Sequence, residues 1–174
     1  MPVNYRKMEA VFSIGSNLGD RERNLRKAIE LLAEQVGELM DQSSYYETEP
    51  WGVTLPQEAY LNAVVICRTE KMPEEIKQDI SSIEQKMGRP PDHKKNAPRI
   101  IDIDLLFLGQ LIYNTEQFQI PHKRLHLRKF VLLPLNEIRP EYIHPVFRKS
   151  ARELLRDCPD TTSVEKYQES DQRE

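Results

Sequence analysis

Apolar residues recur along this chain at two spacings, and the spacing assigns most of the elements. Ala10–Ile14 is a short apolar run of strand type. Gly15-Ser16-Asn17-Leu18-Gly19-Asp20 follows as a dense turn signal. Leu25, Ala28, Ile29, Leu32 and Val36 then fall on one face of a helix over 21–36, with Asp20 as its cap and Gly37 as its stop. Residues 39–48 read as a second, less regular strand. A loop over 49–59 holds two prolines and the only tryptophan, and residues 60–69 form a third strand. Pro73 opens a second long helix whose core stripe is Ile76, Ile80, Ile83 and Met87, ended by Gly88.

A proline-rich basic stretch, 89–99, leads into the most informative run, Arg99-Ile100-Ile101-Asp102-Ile103-Asp104-Leu105-Leu106-Phe107-Leu108-Gly109, which reads as a buried strand. Gly109-Gln110 is expected to turn a hairpin into Leu111–Tyr113. Phe130–Ile138 reads as a helix, and Ser150 caps a short one reaching Arg156. Residues 1–8 and 161–174 are polar and expected to be loosely ordered. The order strand–helix–strand–strand–helix–strand predicts an α+β fold. It is a ferredoxin-like βαββαβ core, a mostly antiparallel sheet with helices packed on it, plus a C-terminal hairpin and helices. At 174 residues, one domain over 1–174 is expected.

Composition narrows the function classes. A net charge of −3 gives no general attraction to nucleic acid or to an anionic membrane. Cys67 and Cys158 form no metal or redox motif, which suits a reducing, cytoplasmic setting. No apolar run approaches the ~20 residues of a membrane span, and the N-terminus lacks a signal-peptide core.

The candidate chemistry lies in the Asp strand. Side chains alternate faces along a strand, so Asp102 and Asp104 point the same way, with Cα atoms ~6.5–7 Å apart. Two carboxylates on one face of an apolar strand need a cationic partner. Lysine or arginine, water at the strand end, or a hard, oxygen-ligated ion such as Mg²⁺ would each serve. On this run alone an exposed strand end with ordinary salt bridges is a better account than a metal site, by about two to one. Arg89, Lys94, Lys95 and Arg99 crowd the adjoining loop, and Pro121–Arg124 with His126–Lys129 make a second basic cluster. Basic neighbours are expected to hold His122 neutral. Carboxylates for Mg²⁺ beside arginines for phosphate oxygens are equipment for phosphoryl-type transfer. On the third strand Tyr60 and Asn62 share a face, which fits a flat heterocycle or a satisfied structural amide equally.

Several blocks combine into a resemblance. Phe12–Gly19, Tyr60-Leu61-Asn62-Ala63, Ala97–Asp104, Ile120-Pro121-His122, then Arg128, Phe130 and Pro134-Leu135 resemble 6-hydroxymethyl-7,8-dihydropterin pyrophosphokinase, in order and spacing from about Ala10 to Ile143. The resemblance implies an enzyme of folate synthesis that moves the β,γ-pyrophosphoryl group of ATP to the pterin hydroxymethyl oxygen, giving AMP. It implies two Mg²⁺ ions on Asp102 and Asp104, with Arg89 and Arg99 as catalytic loop arginines. It assigns His122, Arg128, Leu105 and Lys123 to ATP. Thr48, Pro50, Trp51, Tyr60, Asn62, Phe130 and Asp102 would take the pterin. Glu84 matches an acid beside the closing loop, and Asn17 would hold the first turn against the pterin pocket. Pro91 and Asn96-Ala97 depart from the usual pattern of the closing loop; Gln117 and Lys123 depart near the adenine. The partners expected are ATP and the pterin, without nucleic acid or membrane, and the chain is expected to act as a monomer. Two other classes fit less well: a ferredoxin-like RNA-binding module using the basic loops, and a Mg²⁺-dependent phosphohydrolase. The first meets an acidic chain without the aromatic RNA-binding motif. The second predicts phosphate or pyrophosphate release from ATP without a pterin.

Overall fold

The computed structural model describes residues 6–49, 57–89 and 98–169. The chain runs β1 (Met8–Ser16), α1 (Arg21–Gln35), β2 (Glu38–Gln42), β3 (Tyr46–Thr48), β4 (Tyr60–Thr69), α2 (Pro73–Lys86) and β5 (Asp102–Leu108). It continues with β6 (Tyr113–Asn114), β7 (Gln119–Ile120), a 3₁₀ turn at Leu125–Leu127, α3 (Lys129–Ile138), α4 (Ala151–Arg156) and β8 (Val164–Lys166). The main sheet has the order β5-β1-β4-β3-β8, with β2 also pairing β4, and every pairing is antiparallel. The order β5-β1-β4-β2/β3 is that of the expected ferredoxin-like core.

The strand period of two divides the side chains between two cores. Ala10, Phe12 and Ile14 of β1, Leu61, Ala63 and Val65 of β4, and Ile103 and Leu105 of β5 meet the stripes of α1 and α2. Leu25, Ala28, Leu32, Ile76 and Ile83 are fully buried there, as the helical spacing predicts. On the opposite face Val11, Val64, Ile66, Leu106 and Phe107 pack against Val131, Leu132, Leu135, Ala151 and Leu154 of α3 and α4. The sheet is thus covered on both faces, but α3 and α4 cover only one end of the second.

Five details differ from the sequence reading. The first strand runs on through Gly15 and Ser16, so only Asn17–Asp20 turn. The second strand is broken at Ser43–Tyr45. There Ser43 Oγ accepts from Val64 N and Ser43 N donates to Val64 O, so the neighbouring ladder stays satisfied while Tyr45 turns into the α1 core. The Asp strand begins at Asp102 rather than Arg99. The turn at Gly109 does not make a hairpin with β5; Tyr113–Asn114 instead pairs with Gln119–Ile120 as a separate two-stranded sheet. Finally, the tail expected to be loose includes β8, which pairs with β3. The α1 helix stops at Gly37 for a packing reason: a Cβ there would lie 2.0 Å from the Arg68 carbonyl oxygen.

Candidate active site

The second face of the sheet is open beside the N-terminal end of α3, and β-register decides what lines the opening. Gly15 lies opposite Asp102 on one side and Asn62 on the other; Ser13 lies opposite Asp104 and Val64. Asp102, Gly15 and Asn62 therefore form one row across three strands, on the face away from α1 and α2. Gly15 is required by its neighbour, since a Cβ would come within 2.6 Å of Asn62 Oδ1. Asn62 is buried, and its Nδ2 donates to Thr48 Oγ1 at 3.0 Å, leaving Oδ1 turned toward Gly15. Tyr60 stands on the same face of β4, and Phe130 comes from the first turn of α3. Together these groups line a cavity of about 770 Å³, large enough for a drug-sized ligand.

Charge is concentrated at the β5 side. Arg89 Nη1 lies 3.1 Å from Asp102 Oδ1 and also pairs with Glu84; Arg99 Nη1 lies 3.3 Å from the same Asp102 oxygen. Asp104 is held more loosely, with Arg128 Nη1 at 3.8 Å and His122 Nε2 at 3.9 Å. Burial, and next the negative charge of Asp102, push the Asp104 carboxyl up to about 6, against the pull of Arg128, Arg99 and Arg89. Burial, and next Arg128, push His122 down to about 4. The neutral ring has a defined tautomer. Arg124 N donates to His122 Nδ1 at 3.1 Å, so the ring proton sits on Nε2, facing Asp104.

Behind the pocket, buried Asn17 joins the two loops that flank it. Its N donates to Arg99 O and its Oδ1 accepts from Arg99 N, at 3.0 and 2.7 Å; its Nδ2 donates to Gln57 Oε1 and to Glu58 O, at 3.0 and 3.4 Å. Among the described residues no cluster of three His, Cys, Asp or Glu side chains could hold a metal ion alone. The donor set is two carboxylates, each about one-third exposed to the cleft. Such a pair fits a hard cation whose remaining ligands come from water and phosphate oxygens.

Most residues singled out from the sequence come together here. Arg99, Asp102, Asp104, Arg128, Thr48, Tyr60, Asn62 and Phe130 line the cavity, and Arg89 and His122 adjoin it through Asp102 and Asp104. Leu105 and Lys123 are not among the lining residues: Leu105 points into the α1–α2 core and Lys123 is exposed. Alternation along β5 already puts Leu105 on the face opposite Asp104. Pro50, Trp51 and Pro91–Ala97 lie outside the described residues. The sequence reading missed Arg124, Leu127 and the run Pro159–Thr162 as lining residues. Arg124 sat in a basic cluster already noticed; nothing local marks the C-terminal run.

An antiparallel ferredoxin-like sheet that presents two carboxylates among arginines, next to an aromatic and amide pocket, defines an enzyme built for phosphoryl-type transfer. A model of the 7,8-dihydro-6-hydroxymethylpterin-pyrophosphokinase (HPPK) family matches residues 11–140. Among curated relatives, the 2-amino-4-hydroxy-6-hydroxymethyldihydropteridine pyrophosphokinase of Porphyromonas gingivalis is 40% identical over 140 residues, covering 76% of this chain and 91% of the relative. Its counterpart in Aquifex aeolicus is 39% identical over 141 residues, covering 81% and 86%. The folic acid synthesis protein FOL1 of Dictyostelium discoideum is 33% identical over 152 residues, covering 87% of this chain but 23% of that longer protein. The fold also matches the Plasmodium falciparum HPPK-DHPS crystal structure, with a TM-score of 0.70 at 19% identity, over 86% of this chain and 43% of that one. The chain belongs to the HPPK family of pyrophosphokinases.

Proposed function

We propose that this enzyme transfers the β,γ-pyrophosphoryl group of ATP to the hydroxymethyl oxygen of 6-hydroxymethyl-7,8-dihydropterin, giving the pterin diphosphate and AMP in folate biosynthesis. The observation that carries the reading is the row Asp102–Gly15–Asn62, which sets a charged phosphate end and an amide heterocycle end side by side on one sheet face.

The division of labour follows from the chemistry of each group. Asn62, tied to Thr48, offers fixed hydrogen bonds to the pterin edge, while Phe130 and Tyr60 supply flat apolar walls. Burial raises the Tyr60 pKa, so the phenol stays neutral. Arg89, Arg99 and Arg128 take phosphate oxygens, and neutral His122 offers an Nε2–H. Asp102 and Asp104 would hold Mg²⁺, two ions with ATP, which supply charge neutralisation on the polyphosphate. In the reaction the hydroxymethyl oxygen bonds to the β-phosphorus as the bond from that phosphorus to the α,β-bridging oxygen breaks. AMP leaves with the bridging oxygen. The hydroxyl proton passes to solvent or to Asp104. Orientation supplies much of the rate, since holding the alcohol in line with the phosphorus removes the cost of encounter.

We further propose action as a monomer in the cytoplasm. No described helix is long and apolar enough to cross a membrane, and both Cys67 and Cys158 are free thiols. The test is incubation with ATP, Mg²⁺ and the pterin alcohol. AMP is expected in amounts equal to the pterin diphosphate; AMP or phosphate release independent of the pterin would favour a phosphohydrolase instead.

A further inference from the structure

The family match ends at residue 140, yet the pocket is closed on one side by Pro159–Thr162. This run is fixed at both ends. At its start Asp160 Oδ2 accepts from Lys129 N at 3.0 Å, and Asp160 Oδ1 accepts from Thr162 N at 2.9 Å. Beyond it, Val164 pairs with Thr48 of β3; Tyr167 N then donates to Tyr45 O and Tyr167 Oη to Glu22 Oε1, both at 2.8 Å.

Helix α3 begins without a cap of its own, since the side chain of its N-cap residue Arg128 makes no capping bond. The first N–H groups of a helix need partners, and a carboxylate also opposes the positive end of the helix dipole. Asp160, 31 residues along the chain, fills that role at Lys129. Burial pulls its pKa up, but the bonds from Thr162 and Lys129 outweigh this and hold the carboxyl below its usual value, so it stays ionised. Lys129 stands between Arg128 and Phe130, and both of these line the cavity.

We infer that Asp160 is a positioning residue for the pterin pocket. It clamps the C-terminal segment to the start of α3, so that Phe130 is held at its stacking angle and Thr161–Thr162 form the facing wall. The inference rests on the pterin reading above. Both carboxylate oxygens of Asp160 accept from backbone N–H groups, so although the residue lines the cavity it acts through Lys129 and the turn that presents Phe130.

Binding of the pterin, with and without Mg²⁺ and a non-reacting ATP analogue, is measured by titration calorimetry for the wild type, Asp160→Ala, Asp160→Asn and Thr161→Trp, alongside steady-state kinetics and Tm. Asp160→Ala is expected to weaken pterin binding about tenfold, the scale of a lost charged cap, raising KM for the pterin more than it lowers kcat. Asp160→Asn keeps an acceptor for Lys129 N and is expected to stay within about twofold of wild type. Thr161→Trp alters an exposed position and is expected to keep the wild-type Tm while losing pterin affinity by steric filling of the wall. Three results overturn the inference while leaving the proposed reaction standing: wild-type pterin binding retained by both Asp160→Ala and Thr161→Trp, equal losses in the Ala and Asn variants, or a loss confined to kcat. A wild-type protein that binds no pterin overturns the proposed function and, with it, this inference.

Discussion

Asp102 and Asp104 share a face but not an environment. Asp102 is paired at close range with Arg89 and Arg99, whereas Asp104 meets Arg128 and His122 only at 3.8 and 3.9 Å. Replacing either by Asn leaves a nearly isosteric side chain and removes one anion from a cationic site. Each variant is expected to stay folded and to lose about 10²- to 10³-fold in kcat, the usual effect of removing one electrostatic contact in a preorganised site; a loss under about fivefold would show that the pair is structural. Gly15→Ala tests the other end of the row. Its new Cβ must displace the Asn62 amide 2.6 Å away, so KM for the pterin is expected to rise about tenfold or more, the scale of a misplaced hydrogen-bond pair, with the Mg²⁺–ATP affinity little changed. The carboxylate pair was legible because a period of two is visible in four residues. Gly15 was not, because Gly-Ser-Asn-Leu-Gly has turn composition whether or not the strand continues through its first two residues.

At the scale of elements, α1 shows how local chemistry fixes a boundary. Asp20 Oδ1 accepts from Arg23 N at 3.1 Å, and the helix follows at Arg21. Asp20→Ala is expected to cost about 1 kcal/mol and to lower Tm by about 2–4 °C for a chain of this size; an unchanged melting curve would show that packing alone sets this end. Both long helices, the third strand and the capped short helix at Ser150 were readable from spacing and caps. Elements whose partners lie far along the chain were not. The two residues of β6 pair with β7 rather than with the strand just before them, and β8 exists because β3 leaves an edge for it to join. Glu137 reinforces that edge, accepting from Ser44 N and Ser44 Oγ and pairing with Lys166 at 3.3 Å. None of these long-range choices leaves a periodic trace in its own segment.

For the whole molecule, burial holds three of the described histidines, His122, His126 and His144, below their usual pKa, and two of them are shifted far enough to shape the response to acid. His144 is 3% exposed, stacks on Phe147, and accepts at Nδ1 from Val146 N and Phe147 N. Burial lowers its pKa to about 4, as it does for His122. In the unfolded chain both return to about 6.5. Below that pH the unfolded state takes up protons that the folded state refuses, so their stabilising effect is complete above about pH 6.5 and is lost as pH falls toward 4. Asp104 acts the other way: with its pKa raised to about 6, the folded state binds a proton first and offsets part of the loss. Urea unfolding at pH 7, 6 and 5 is expected to show falling stability. A level or rising trend would contradict neutral, buried histidines.

Every assignment at the site depends on one claim, that the carboxylate end and the amide end of a single sheet row serve two substrates in one reaction. Product analysis tests it most directly. With ATP and Mg²⁺ alone the enzyme is expected to release no AMP, and addition of 6-hydroxymethyl-7,8-dihydropterin is expected to give AMP and pterin diphosphate in equal amounts. ADP as the product, or AMP formed at the same rate without the pterin, would contradict the account.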